Sequence, residues 1–318
     1  MQIGFKLMAE AYPPHELVRQ AVRAEEAGFD FVEISDHYHP WLYSQGHSPF
    51  VWSVLAAIAM RTERIELATG VTCPTTRYHP AIIAQAAATT QILADGRFVF
   101  GVGSGERLNE HVTGGGWPDV DVRQAKLREA LEVIRMLWSG GYHSHRGTYY
   151  EVSDARIFDL PDALPPIVVA AGGKRASALA AQVGDGIFAT DPDAELVDAY
   201  TQAGGSGPRY CEVPIAYAPD VASGAASARE KARFGALGWK VMAELPNPIN
   251  FEAAAAFVTD EDMAESFACG PDPDRHAEVF AQFKDAGFDR LTLMDAGPDI
   301  DAFLDFFTST LRERLLAV

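Results

Sequence analysis

Short apolar runs alternate with segments whose apolar residues recur every three or four positions, from one end of the 318-residue chain to the other. Ile3 to Leu7 reads as a first strand; Leu17, Val18, Ala21 and Ala24 follow at helical spacing, and Gly28 is placed to stop that helix. Phe31, Val32 and Ile34 make a second strand. Ile65 to Val71 reads as a third, and Pro80 opens an alanine-rich helix that runs to Leu93. Arg97 to Val102 is the next strand, and Leu127, Ala130, Leu131, Ile134, Leu137 and Trp138 form one helix face. Ile167 to Ala171 and Gly184 to Ala189 are further strands. A last strand around Leu291, Leu293 and Met294 precedes a helix carrying Phe303, Phe306, Phe307 and Leu311.

Strand and helix in strict alternation predict a parallel α/β fold. About eight such units fit the length, which favours a closed (β/α)₈ TIM barrel over an open doubly wound sheet. Ala27-Gly28-Phe29-Asp30 and Ala286-Gly287-Phe288-Asp289 sit at equivalent helix-to-strand junctions, a weak sign of repeated units. The expectation is one domain over residues 1–318, with an insertion near residues 238–260 where Trp239 and two prolines interrupt the pattern.

Composition narrows the class. Hydrophobic residues make up 48 % and charged residues 22 %, ordinary values for a soluble globular chain. No run approaches the length of a membrane span, and the start lacks the features of a secretory signal, so a cytoplasmic protein is expected. Three cysteines (Cys73, Cys211, Cys269), odd in number and far apart, indicate neither a disulfide framework nor a cysteine zinc site. A formal charge of −18 argues against nucleic acid as a partner. It leaves room for an anionic ligand, which backbone N–H groups at a helix N-terminus can hold.

In a parallel barrel, chemistry gathers where strands end and loops to the next helix begin. Ser35-Asp36-His37-Tyr38-His39-Pro40-Trp41 follows the second strand. An imidazole there can take a hydroxyl proton near neutral pH, and an indole can donate its N–H and form a flat wall. The same residues also fit a polar turn with a capping Asp and a packed Trp. His37-Tyr38-His39 has the His-x-His spacing of barrel zinc hydrolases, but no histidine lies between His145 and His276 to complete such a site. No metal is therefore expected.

Gly101 to Glu110 follows the fourth strand; its glycines allow backbone to approach a flat ring while Glu106 faces the site. A glycine pattern alone is a weak dinucleotide signal, and no helix opens directly after it. Ala170-Ala171-Gly172-Gly173-Lys174-Arg175 runs from a strand into a helix, the place where a barrel holds phosphate. Lys174 and Arg175 are expected to add positive charge there. Gly70-Val71-Thr72 closes the third strand.

Ser-Asp-His-x-x-Pro-Trp at Ser35 to Trp41, Gly-His-x-Pro-Phe at Gly46 to Phe50, and Val-Gly-x-Gly-Glu-x-Leu-Asn-Glu at Val102 to Glu110 occur in one order with Ala-Ala-Gly-Gly at Ala170 to Gly173. Together they resemble the luciferase-like barrel family, and within it the branch of glucose-6-phosphate dehydrogenases that use the deazaflavin coenzyme F420. The resemblance spans nearly the whole chain. It implies that His37 takes the substrate hydroxyl proton, that Trp41 helps hold the developing charge, and that Glu106 protonates the coenzyme. By the same resemblance Glu10 lines the pocket, and Gly70–Val71 is a non-prolyl cis peptide against the ring. It also gives Asp36, Thr72, Asn109, Ala171, Gly172, Gly173 and Thr190 as coenzyme contacts, and a homodimer as the assembly.

The pattern departs from the branch where its sugar phosphate is held. Its two lysines and one arginine align approximately with Asp193, Met242 and Ser266, although Lys240 lies near one position. A phosphate dianion left unpaired is costly to bury. An unphosphorylated sugar or a secondary alcohol is the expected small-molecule substrate. A flavin mononucleotide monooxygenase on the same barrel, a zinc hydrolase and a non-catalytic coenzyme carrier are the alternatives.

Overall fold

The computed structural model describes residues 1–318. Its strands are β1 (Gln2–Leu7), β2 (Phe31–Ile34), β3 (Glu66–Thr69), β4 (Phe98–Val102), β5 (His143–Arg146), β6 (Glu151–Ala155), β7 (Ile167–Ala170), β8 (Gly186–Ala189), β9 (Arg209–Ala216), β10 (Ala268–Cys269) and β11 (Arg290–Asp295). The parallel order β11-β1-β2-β3-β4-β7-β8 is closed by β9, which pairs with β8 on one side and β11 on the other. That is the closed (β/α)₈ barrel. β5 and β6 form a separate antiparallel hairpin, and β10 adds two residues beside β9.

The helices that follow the first strands are α1 (Pro14–Ala27), α2 (Val51–Ala59), α3 (Pro80–Leu93), α4 (Arg107–Glu110) and α5 (Val120–Trp138). Then come α6 (Lys174–Val183), α7 (Ala194–Gln202), α8 (Val221–Ala232), α9 (Trp239–Met242), α10 (Pro248–Ala254), α11 (Asp260–Ser266), α12 (Pro273–Asp285) and α13 (Ile300–Phe306). Gly28 ends α1 at φ 87°, and its amide donates to the Ala24 and Glu25 carbonyls, the closure that its place in the sequence predicts.

Each strand sends alternate residues to two interiors. Ile3, Phe5 and Leu7 of β1 face the helices and join one continuous apolar cluster. Phe5 lies 6.0 Å from Phe303 on α13, and Phe29 stacks on Phe307 at 3.7 Å. The last helix thus clamps the first strand. Inside the barrel, Phe31, Ala68, Val99, Val168, Phe188 and Tyr210 fill the lower layer. A Cβ on Gly4 would fall 2.2 Å from the Phe31 ring, so glycine makes room for that phenyl group. Lys6, Glu33 and Thr292, one step further along their strands, make the layer above polar.

Two boundaries differ from expectation for visible reasons. β3 stops at Thr69, just before the cis Gly70–Val71 peptide, and the chain pairs with β4 once more through Thr72 and Val102. β8 starts at Gly186 because Asp185 turns back to accept the Ile167 amide, 2.8 Å away. The irregular segment begins earlier than expected, with a 3-10 turn at Arg233–Leu237, and continues through α9, α10 and α11 to β10.

Candidate active site

Three strand ends bring the chemistry together. Glu10 lies three residues beyond β1, His37 three beyond β2 and Glu106 four beyond β4. His37 Nδ1 is 2.5 Å from Glu10 Oε1, and its Nε2 is 3.9 Å from Glu106 Oε1. The imidazole therefore sits between two carboxylates. Nδ1 and Glu10 thus form a close, buried charge pair. Ser35 donates to the other Glu10 oxygen at 3.1 Å. The indole of Trp41 stands edge-on to His37, ring centres 5.0 Å apart, and is itself stacked on Phe234 at 4.9 Å.

The motif Gly46 to Phe50 supports this group through backbone contacts. The His47 amide donates to the Glu10 carbonyl at 2.9 Å, and Ser48 donates to the His37 carbonyl at 2.8 Å. Asn109 does more. Its Oδ1 accepts from the amides of Tyr38 and His39, at 2.7 and 2.8 Å, while its Nδ2 donates to Glu106 Oε1 at 2.5 Å. The side chain is fully buried, and one amide latches the His37 loop to Glu106.

Asp36 is equally committed. It accepts from Thr72 at 2.7 Å, from Tyr78 at 3.1 Å and from the Arg77 guanidinium at 3.1 Å. The Arg77 amide in turn donates to Glu110, 2.9 Å away. Thus Asp36, Thr72 and Asn109, which the resemblance gives as coenzyme contacts, have side chains already bonded within the protein. Arg77 and Tyr78 were not legible as site residues, because a cation in a turn carries no pattern of its own.

Burial alone would lower the pKa of His37, but the Glu10 carboxylate, joined by Glu106, more than reverses this and holds it above the ordinary imidazole value. Burial pushes Glu10 up and His37 pulls it down further, so Glu10 stays ionised below the usual carboxylate range. If His37 is the base, its neutral form is the active one, and kcat/KM rises with pH through that elevated pKa. Glu10→Gln removes the charge that raises it and leaves the burial that lowers it. The rising limb of kcat/KM against pH should then move to lower pH; a limb that stays in place would assign it to another group.

Gly70–Val71, cis as the resemblance implies, leads from β3 to the same space. A Cβ on Gly103 would come 2.8 Å from Val71, so the β4 loop lies close against that turn. Ala171 is buried after β7, and exposed Gly172 and half-buried Gly173 lead into the ten-residue helix α6. Thr190 follows β8 and is exposed. Lys174 and Arg175 point elsewhere: each meets a surface carboxylate, Glu195 at 2.9 Å and Asp121 at 2.7 Å. The positive charge expected beside Gly172 is therefore largely compensated.

The positions aligned with a phosphate site hold no cation. Asp193 caps α7 by accepting the Glu195 amide, Met242 is buried beside Trp41, Leu108 and Phe251, and Ser266 ends α11. Lys240 is exposed on α9. His37 and His39 also diverge, since His39 Nδ1 turns to the Leu108 carbonyl at 3.0 Å. The His-x-His pair does not converge as a zinc site requires.

The luciferase-like monooxygenase model matches residues 1–290. The chain is 39 % identical to the F420-dependent glucose-6-phosphate dehydrogenase of Nocardia farcinica, covering 100 % of this chain and 99 % of the relative. The enzyme of the same name from Tsukamurella paurometabola is 38 % identical, with 100 % and 99 % covered. An F420-dependent secondary alcohol dehydrogenase, solved with an F420–acetone adduct, superposes with a TM-score of 0.91 at 28 % identity, over 99 % of this chain and 98 % of that one. On the strength of the family match and these full-length relatives, the chain belongs to the luciferase-like monooxygenase family.

Proposed function

We propose that this protein is a coenzyme F420-dependent dehydrogenase that oxidises an unphosphorylated C–OH substrate, a secondary alcohol or a sugar. The observation that carries the reading is His37 held between Glu10 and Glu106, with the Trp41 edge against it, in a chain so similar to F420-dependent dehydrogenases over its full length.

The residues present fit a flat coenzyme with an anionic tail. Gly103 and Gly105 keep the β4 loop close-packed: a Cβ would meet Val71 at 2.8 Å from the first and Glu110 at 2.7 Å from the second. Gly172, exposed, and Gly173, half-buried, stand at the positive end of α6, suited to a phosphate. When bound, the deazaflavin supplies hydride chemistry at its C5. The protein's own work is then proton management and exclusion of water. His37 Nε2, the ring nitrogen not facing Glu10, takes the hydroxyl proton, and the resulting imidazolium is stabilised by Glu10 on its far side. Trp41 walls the same space. Glu106 receives the Asn109 amide at Oε1, which leaves Oε2 to carry a proton toward the ring.

The absence of cations at Asp193, Met242 and Ser266 supports an unphosphorylated substrate. A homodimer in the cytoplasm is part of the same proposal, supported by the family resemblance. The test mixes the protein with oxidised F420 and follows its visible absorbance with glucose 6-phosphate, free sugars and simple secondary alcohols. Bleaching with unphosphorylated compounds alone is the expected result. Bleaching chiefly with glucose 6-phosphate would overturn the substrate reading. A protein that purifies yellow and consumes oxygen would instead be a flavin monooxygenase.

A further inference from the structure

Beneath the site, the barrel interior carries an ionic layer that the proton transfers leave unused. Lys6 Nζ on β1 lies 2.7 Å from Glu33 Oε1 on β2 and contacts Glu212 on β9. It donates a third bond, at 3.0 Å, to the carbonyl of Gly70 just beyond β3. The second oxygen of Glu33 accepts from Thr292 on β11 at 2.9 Å. One ammonium, with three donors and three acceptors, thus joins strands from opposite parts of the ring.

Folding alone does not call for this layer. A buried ion cluster is commonly no more stabilising than apolar side chains of similar volume. The layer just below, built on several of the same strands, is apolar. What distinguishes the ionic layer is its upper contact. A Cβ on Gly70 would fall 2.2 Å from Glu33 Oε1, so the end of β3 rests directly on the cluster. Val71, the next residue, meets Gly103 in the loop that leads to Glu106. The Lys6 ammonium keeps its proton because Glu212 and Glu33 outweigh the burial that would strip it.

We infer that Lys6 is a positioning residue for the coenzyme: by holding the Gly70 carbonyl, it fixes the height of the Gly70–Val71 turn against which a bound ring would rest. This rests on the F420 reading above. Glu10 and Glu106 are the charged groups facing His37 from β1 and β4, and Lys6 lies below them on β1.

The test titrates F420 into the parent protein, into Glu212→Gln, and into the triple variant Lys6→Met, Glu33→Met, Glu212→Met. The triple variant removes every charge of the layer at once and leaves no carboxylate unpaired. Expected is an unfolding temperature near the parent's, a coenzyme Kd raised at least about tenfold, and a substrate KM at saturating coenzyme that changes little. Glu212→Gln keeps the Glu33 and Gly70 bonds of Lys6 but loses the larger of its two carboxylate supports, so its coenzyme Kd is expected between those of the parent and the triple variant. A folded triple variant with parental coenzyme Kd would overturn the inference while leaving the F420 reading intact. A parent that binds no F420 would sink the reading, and the inference with it. If the triple variant does not fold, the same titration on Lys6→Gln decides, because glutamine is too short to reach both Glu33 and the Gly70 carbonyl.

Discussion

His37→Ala is expected to lower kcat with an alcohol substrate by about 10²–10⁴-fold, the usual contribution of a positioned general base. Coenzyme Kd should stay within about threefold. The imidazole is not what holds the ring in this account: Nδ1 is turned to Glu10 and Nε2 to the space before Glu106. Removing it also leaves Glu10 buried without its cation, so Glu10 is expected to lose the stabilisation that keeps it ionised. A modest loss of thermal stability should accompany the loss of rate. Stopped-flow bleaching of F420 under single-turnover conditions separates the two effects. Equal losses in coenzyme binding and in rate would place His37 on the ring and remove its role as base.

Glu106→Gln is the second large effect. Glutamine preserves the shape, and its Oε1 can still accept the Asn109 amide. It cannot give up or take a proton. A drop in kcat of about 10²-fold or more is expected at fixed coenzyme affinity, comparable to the removal of one general acid. Asn109→Leu provides the contrast, because it frees the amides of Tyr38 and His39 and should disturb both loops and stability together. If Glu106→Gln turned over at the parental rate, the proton would have to come from solvent.

Much of the barrel is legible because its strands are buried on both faces and read as apolar runs, as Phe98 to Val102 and Ile167 to Ala170 do. β9 escapes such a reading: Arg209, Glu212 and Pro214 interrupt Tyr210, Cys211, Val213 and Ile215, and its length lets Glu212 reach the ionic layer. β5 is harder still. His143-Ser144-His145-Arg146 is a surface hairpin strand held by pairing rather than by burial. α2, nearly all apolar over Val51 to Ala59, has no polar face to reveal a helical period. The short helices α9 and α10 depend on packing against Trp41 and its neighbours, and α11 on packing through Met263 beside α8, which no local pattern encodes.

The site divides in the same way. His37, Glu106 and Trp41 are legible because residue type and strand end together suggest chemistry; Glu10 is legible only through the family resemblance, and the fold brings these four together. The partners of Asn109, Asp36 and Thr72 are not, since each is chosen by a loop distant in sequence. Lys174 and Arg175 mislead for a related reason: local charge in the sequence takes no account of Glu195 and Asp121 arriving from other helices.

Asn109 has a consequence for anyone wishing to remodel this enzyme. Because a single amide from the β4 loop caps the chain around His37, the two loops form one interchangeable part. Transplanting residues 35–48 from a relative without residues 104–111 would strand backbone amides on one side and a carboxylate on the other. Moved as a pair, they carry their own alignment with them, and a library that recombines them freely would consist mostly of misfits.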